Sequence, residues 1–80
     1  MSSIGLVPSL ATRAELRELA ERRHRDPTKA LARARELTVS DDPVVVALAE
    51  WVVGLALHEL GQPGDALDSY RTSIAICEKA

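Results

Sequence analysis

Residues 47–80 read ALAEWVVGLALHELGQPGDALDSYRTSIAICEKA, and this stretch predicts two helices joined by a tight turn. Gly61 ends the first, because without a side chain it reaches positive φ at little cost, as the position after a helix C-terminus requires. That helix therefore stops near Leu60. The segment Gly61-Gln62-Pro63-Gly64 turns the chain, and Asp65 and Asp68 then stand in the first turn of the next helix, where carboxylates complement the helix dipole. Ala66, Leu67, Tyr70 and Ile74 are the residues this helix is expected to bury. Upstream, apolar side chains from Val44 to Leu60 occur almost all the way round, as in a helix packed on several sides. The run Val44-Val45-Val46 favours a strand by propensity, but Pro43 as a starter, the length and the Ala-rich continuation favour a helix.

Ala47 to Ala80 is also one unit of 34 residues, and this period marks a helical repeat. The succession Val53-Gly54, Leu57, Gly61, Ala66-Leu67, Tyr70, Ser73 and Ile74 resembles the tetratricopeptide repeat (TPR) family. The resemblance implies two antiparallel helices so closely packed that Gly54 and Ala66 occupy sites restricted to small residues, with larger residues filling the seam between them. Glu50 stands where the family has a large aromatic, with Trp51 displaced to a neighbouring face, and Glu78 replaces the closing proline. One period upstream, Leu19, Ala20 and His24 take the places of Val53, Gly54 and His58. With a turn two residues shorter, Ala30-Leu31 falls opposite Ala66-Leu67, and Arg35 opposite Arg71. The resulting expectation is an all-α array of about four helices in antiparallel helix-turn-helix pairs, a TPR-like α-solenoid. Its divisions are a flexible segment over 1–11, a degenerate first pair over 12–46 and a second repeat over 47–80.

The first half carries its own start signals. Thr12 and Glu15 have capping-box spacing, and Ala11 and Leu16 could form a hydrophobic staple. They predict a first helix from Thr12 to about Arg25, with a thin apolar stripe of Leu16, Leu19 and Ala20. Asp26-Pro27 is an N-cap followed by proline at the first helical position, where a missing N–H costs nothing. A second helix follows to Leu37, lined by Ala30, Leu31, Ala34 and Leu37. Asp42-Pro43 repeats the signal. Met1 to Ala11, with Gly5, Pro8 and three serines, has no period and reads as a loose tip.

Eighty residues suffice for one small domain, whose core rarely supplies more than about 3–5 kcal/mol without staples or oligomerisation. Two repeats leave one end of a stack uncovered, so the chain is expected to dimerise or to be the N-terminal piece of a longer protein. Residues 1–40 carry eight basic and five acidic side chains, residues 41–80 two and seven, within a net charge of −2. The molecule is electrically polar from end to end. Cys77, the single cysteine, excludes an intrachain disulfide and a zinc-finger framework and fits a reducing cytoplasmic setting. Neither a signal peptide nor a membrane span is predicted. Eight arginines against two lysines, with abundant alanine, suit a GC-rich bacterial genome.

In the TPR family the first helix of each unit lines a concave groove that receives a peptide or helix. The resemblance implies that role for Leu48, Trp51, Leu55, His58 and Glu59 in the second unit, and for Arg17, Glu21, His24 and Arg25 in the first. An apolar strip beside a basic one suits a partner with a hydrophobic anchor and acidic residues, since Trp and Arg are enriched at binding hot spots. Glu21 stands where a carboxylate-clamping Asn would be and would repel a terminal carboxylate. The plainer alternative has Trp51 packing against the second helix or an adjacent repeat, with no ligand.

Other chemistries find little support. His24 and His58, one repeat apart, could approach each other, but no third or fourth metal ligand accompanies them. The cluster Arg22-Arg23-His24-Arg25 is interspersed with Glu18, Glu21 and Asp26, and two aromatics make no stacking platform for nucleic acid. Ser69, Ser73 and Cys77 lack an activating His or Asp, and Cys77 reads as buried apolar filler. No glycine-rich phosphate loop is present, so neither catalysis nor a cofactor is expected. The sequence thus predicts a non-catalytic scaffold that binds another protein, further repeats of the same protein or its own copy. The alternative is the regulatory N-terminal region of a larger enzyme or signalling protein.

Overall fold

The computed structural model describes residues 3–79, with side chains over 10–79, and the chain is all-α. Four helices follow in order: α1 Ser3–Arg22, α2 Pro27–Leu37, α3 Pro43–Glu59 and α4 Pro63–Lys79. Three of them begin at proline, whose fixed φ and absent N–H suit a first helical position. Asp26 caps α2 by accepting from the Lys29 N–H at 3.1 Å, and Asp42 caps α3 by accepting from the Val44 N–H at 2.9 Å.

Two boundaries differ from the sequence reading. Helix α1 begins at Ser3, so Thr12 lies inside it and the expected loose segment over 1–11 is helical from Ser3 onward; Met1 and Ser2 lie outside the described residues. Ile4, Val7 and Ala11, like Leu6 and Leu10, are spaced as a helix requires, and Pro8 forfeits only one i→i−4 bond. At its other end α1 stops at Arg22 rather than Arg25. Residues 23–25 form a turn in which the Arg25 and Asp26 N–H groups donate to the Arg22 carbonyl. The Arg23 guanidinium satisfies the Ala20 carbonyl at 2.6 Å. Asp26, with φ at −147° and ψ at 75°, lies outside the helical region, which is disfavoured for a residue before proline, so the helix ends before it.

Gly61 behaves as its position predicts. With φ at +77°, it lets the Gln62 N–H reach the Leu57 carbonyl at 2.9 Å and its own N–H reach that of His58 at 3.1 Å. This pair of bonds is the Schellman closure of α3. The turn it makes is short, since Pro63 and Gly64 already belong to α4.

Helix α3 touches all three other helices, whereas α4 touches α3 alone. The molecule measures 16 Å along its shortest axis, close to the roughly 15 Å of two helices in contact. A structure two helices deep leaves part of every helix facing solvent. The core joins Leu16 and Ala20 of α1, Ala34 of α2, Val45, Ala49, Val52, Val53 and Leu57 of α3, and Ala66 of α4. Leu16, Val45 and Val52 are its largest fully buried side chains, so close approach of helices takes the place of bulky filling. Full burial of a side chain such as Leu16 contributes about 1.5–3 kcal/mol.

The α3–α4 seam is the tightest contact. A Cβ placed on Gly54 would lie 2.6 Å from Cδ1 of Tyr70, so the tyrosine ring rests directly on the α3 backbone. Nearby, the buried Ser73 hydroxyl donates to the Ala47 carbonyl at 2.7 Å. Of the expected packing residues, Ala20, Ala30, Val53, Gly54, Leu57 and Ala66 are buried, and Leu19, Leu31 and Tyr70 are partly buried. Leu67 and Ile74 are not; they are 47% and 59% exposed. The contacts of Gly54 with Tyr70 and Ala47 with Ser73 turn α4 so that Ala66, Tyr70 and Ser73 face α3. The same rotation carries Leu67 and Ile74 to the flank.

Candidate partner-binding groove

Helix α3 is covered over most of its circumference, and one strip stays open. Leu48, Trp51, Leu55 and His58 follow at intervals of three or four residues and so share one side of the helix. Leu48 and Leu55 are partly buried against the core, His58 is exposed, and Trp51 is 44% exposed. Its neighbours Val52 and Val53 are buried. The largest side chain of the protein is therefore presented on an otherwise buried helix.

Trp51 stands between two clefts and also borders a third depression with Tyr70, Ser73 and Ile74 of α4. One lies against α1 and is walled by Arg13, Leu16 and Arg17 together with Leu48 and Val52. The other, about 180 Å³, lies against α4, with Val44, Leu48, Ser73, Ile76 and Cys77 among its lining. Arg17 is thus brought to the apolar strip, as expected. Arg25 is not: it lies in the turn beyond α1 and lines a separate depression with Leu19, Asp26 and Lys29, facing α2. Glu21 is exposed.

His24 and Glu59, both expected in the groove, meet each other. The His24 Nδ1 lies 2.9 Å from Glu59 Oε1, and the Arg23 Nε lies 3.8 Å from the same oxygen. This contact clasps the end of α1 to the end of α3. The partner of His24 is therefore a carboxylate, and among the described residues no three His, Cys, Asp or Glu side chains gather as a metal site would need.

Sequence reasoning missed Arg13. Its guanidinium Nη2 donates to Asp42 Oδ2 at 3.1 Å, tying α1 to the cap of α3. Its Nε is buried without a hydrogen-bond partner. The spacing of Arg13 and Arg17, one helical turn apart, was the available signal. Cys77 was misjudged in the opposite sense, since it is exposed and lines the α4 cleft rather than filling the core.

Two carboxylates away from the groove carry shifted affinities for protons. Arg33 grips Glu15 with two hydrogen bonds of 2.6 and 3.0 Å across α1 and α2, and that pairing holds the Glu15 carboxyl below its ordinary range. Burial pushes the Glu50 carboxyl above it, against the opposing pull of Arg35. Neither group lines the Trp51 clefts. Among the described residues no helix is long and apolar enough to cross a membrane. The sequence matches no protein-family model, and no curated protein or solved structure is significantly similar to it.

Proposed function

We propose that this protein is a non-catalytic, cytoplasmic interaction module of TPR-like design, which receives a helix or peptide of a partner protein along the open strip of α3. The observation that carries the reading is the half-exposed Trp51, held between an α1 cleft bearing Arg13 and Arg17 and an α4 cleft lined mostly by apolar side chains. Leaving an indole in water forgoes hydrophobic stabilisation that burial would supply. A bound apolar side chain recovers it. Arg17, exposed and in no ion pair among the described residues, adds attraction for an acidic residue beside that anchor.

The TPR-like arrangement draws support from three local features. These are the Tyr70 ring packed on Gly54, the Schellman closure at Gly61 and the position of α3 against both helices of the preceding pair. None of these supplies a nucleophile or a proton-transfer pair, and binding alone is the activity proposed.

The test is selection from a displayed library of amphipathic helical peptides, with affinity read from the emission of Trp51, the protein's one tryptophan. Arg17→Glu and Trp51→Ala, the latter followed by calorimetry, should each weaken binding at least tenfold while leaving the melting temperature within a few degrees. Retention of full affinity by both variants would discard the groove. Unfolding of Trp51→Ala would mark the indole as a packing residue instead.

A further inference from the structure

Helix α4 has a second apolar face, which adjoins the Trp51 strip at Ile74, where Trp51, Tyr70, Ser73 and Ile74 line one depression, and runs away from it to Leu67. Leu67 and Ile74, seven residues apart and 47% and 59% exposed, form its ridge, with Arg71 between them on the same side. Helix α4 packs on α3 alone, so nothing among the described residues covers this ridge. We propose that it is a self-association surface on which α4 of a second copy packs antiparallel, giving a two-fold symmetric dimer.

Symmetry and charge together identify a second copy as the occupant. In an isologous contact each residue meets its counterpart twice, so the patch must complement itself. An antiparallel pair centred between Tyr70 and Arg71 sets Leu67 of each copy opposite Ile74 of the other. The same register suits the charges of α4. Its first half carries Asp65 and Asp68; its second half carries Arg71 and Lys79 as well as Glu78. Antiparallel packing brings the acidic half of one helix beside the basic residues of the other, with Arg71 next to Asp68 of the second copy. Among the described residues neither Asp68 nor Arg71 forms an ion pair, although they stand three residues apart, and both are exposed. Glu78 falls opposite the N-terminal end of the second α4, where the helix dipole favours a negative charge. A parallel pairing would instead set Asp65 and Asp68 against themselves.

Two measurements test this. Sedimentation equilibrium should show a monomer–dimer equilibrium for the native chain, shifted toward monomer at least tenfold by Ile74→Glu, whose helicity should match the native protein because the position is exposed. Asp68→Arg and Arg71→Asp should each weaken the dimer by a similar factor, since each opposes like charges twice. The double exchange should restore it, an outcome that a merely structural role for these residues would not produce. Spin labels on the single Cys77 give the geometry. The antiparallel register places the two Cys77 positions about 20 Å apart along the helix axes, from thirteen residues at 1.5 Å each, so a dipolar distance on the order of 20–30 Å is expected. A strict monomer at millimolar concentration, or failure of the double exchange to restore a dimer that the single changes weaken, would overturn the proposal. Arg17 lies in the α1 cleft, which no α4 residue lines, so Arg17→Glu should weaken groove binding and leave the dimer unchanged, whereas Asp68→Arg should weaken the dimer alone; the two readings therefore fail independently.

Discussion

Replacing Gly54 with alanine separates helix propensity from packing, because the two act in opposite directions at this position. In an exposed helix interior the change stabilises by about 1 kcal/mol, since glycine surrenders more backbone freedom on folding. Here the added methyl would sit 2.6 Å from Cδ1 of Tyr70 and as close to the neighbouring ring carbon, well inside van der Waals contact. The ring must shift or α4 must withdraw. Overpacking of this kind costs about 1–3 kcal/mol, so Gly54→Ala should show a net loss of up to about 2 kcal/mol. Followed by circular dichroism, the urea midpoint should fall by up to roughly 2 M, given a slope near 1 kcal/mol per molar for a chain of this size. The decisive comparison uses Tyr70→Val, which lacks the ring atoms that the methyl would strike. In that background Gly54→Ala should become stabilising by about 0.5–1 kcal/mol. A gain in the native background, or an equal loss in both, would refute the close approach of α3 and α4.

Glu50 and Glu15 should give the fold opposite responses to pH. The carboxyl of Glu50 is raised above the usual 4.5 by burial, so its ionisation burdens the folded state. The burden is absent below the unfolded value and grows as pH rises through the folded one. Glu50→Gln should therefore raise the melting temperature at pH 7 and leave it unchanged near pH 3; an equal rise at both would show that charge burial is not the cause. Glu15 is lowered by Arg33, so its contribution is present above 4.5 and fades as pH falls, and Glu15→Gln should destabilise at pH 7 only. Ser73→Ala removes the buried 2.7 Å bond to the Ala47 carbonyl and should cost about 1 kcal/mol, measured by urea unfolding. No loss would mean that this bond does not hold α4 in place.

The parts of the fold legible in the sequence are those decided by local backbone chemistry. Asp26-Pro27, Asp42-Pro43 and Gly61 each fix a helix end through a cap, a locked φ or a positive φ, and neighbours in the chain suffice to read them. The strip of α3 bearing Trp51 came only from the resemblance, because apolar side chains surround that helix and its own pattern singles out no open side. The rotation of α4 was not legible, because Ala66, Tyr70, Ser73 and Cys77 are spaced as helically as Ala66, Leu67, Tyr70 and Ile74. Hydrophobicity favoured the set with Leu67 and Ile74, whereas close backbone approach needed the smaller side chains. The early start of α1 was hidden by Gly5 and Pro8, which read as breakers although each costs a helix only a few kcal/mol at most. Arg13 escaped because its partner, Asp42, lies 29 residues away.

That α4 meets α3 and neither α1 nor α2 also bears on how the chain reaches its native state. Among the described residues no helix contact joins α1 to α4, and each new helix finds its neighbour among those already made. Such local topology keeps the entropy lost in closing loops small and belongs with rapid folding. During synthesis, α1, α2 and α3 can assemble on one another before α4 has left the ribosome, and α4 then needs only one surface to dock.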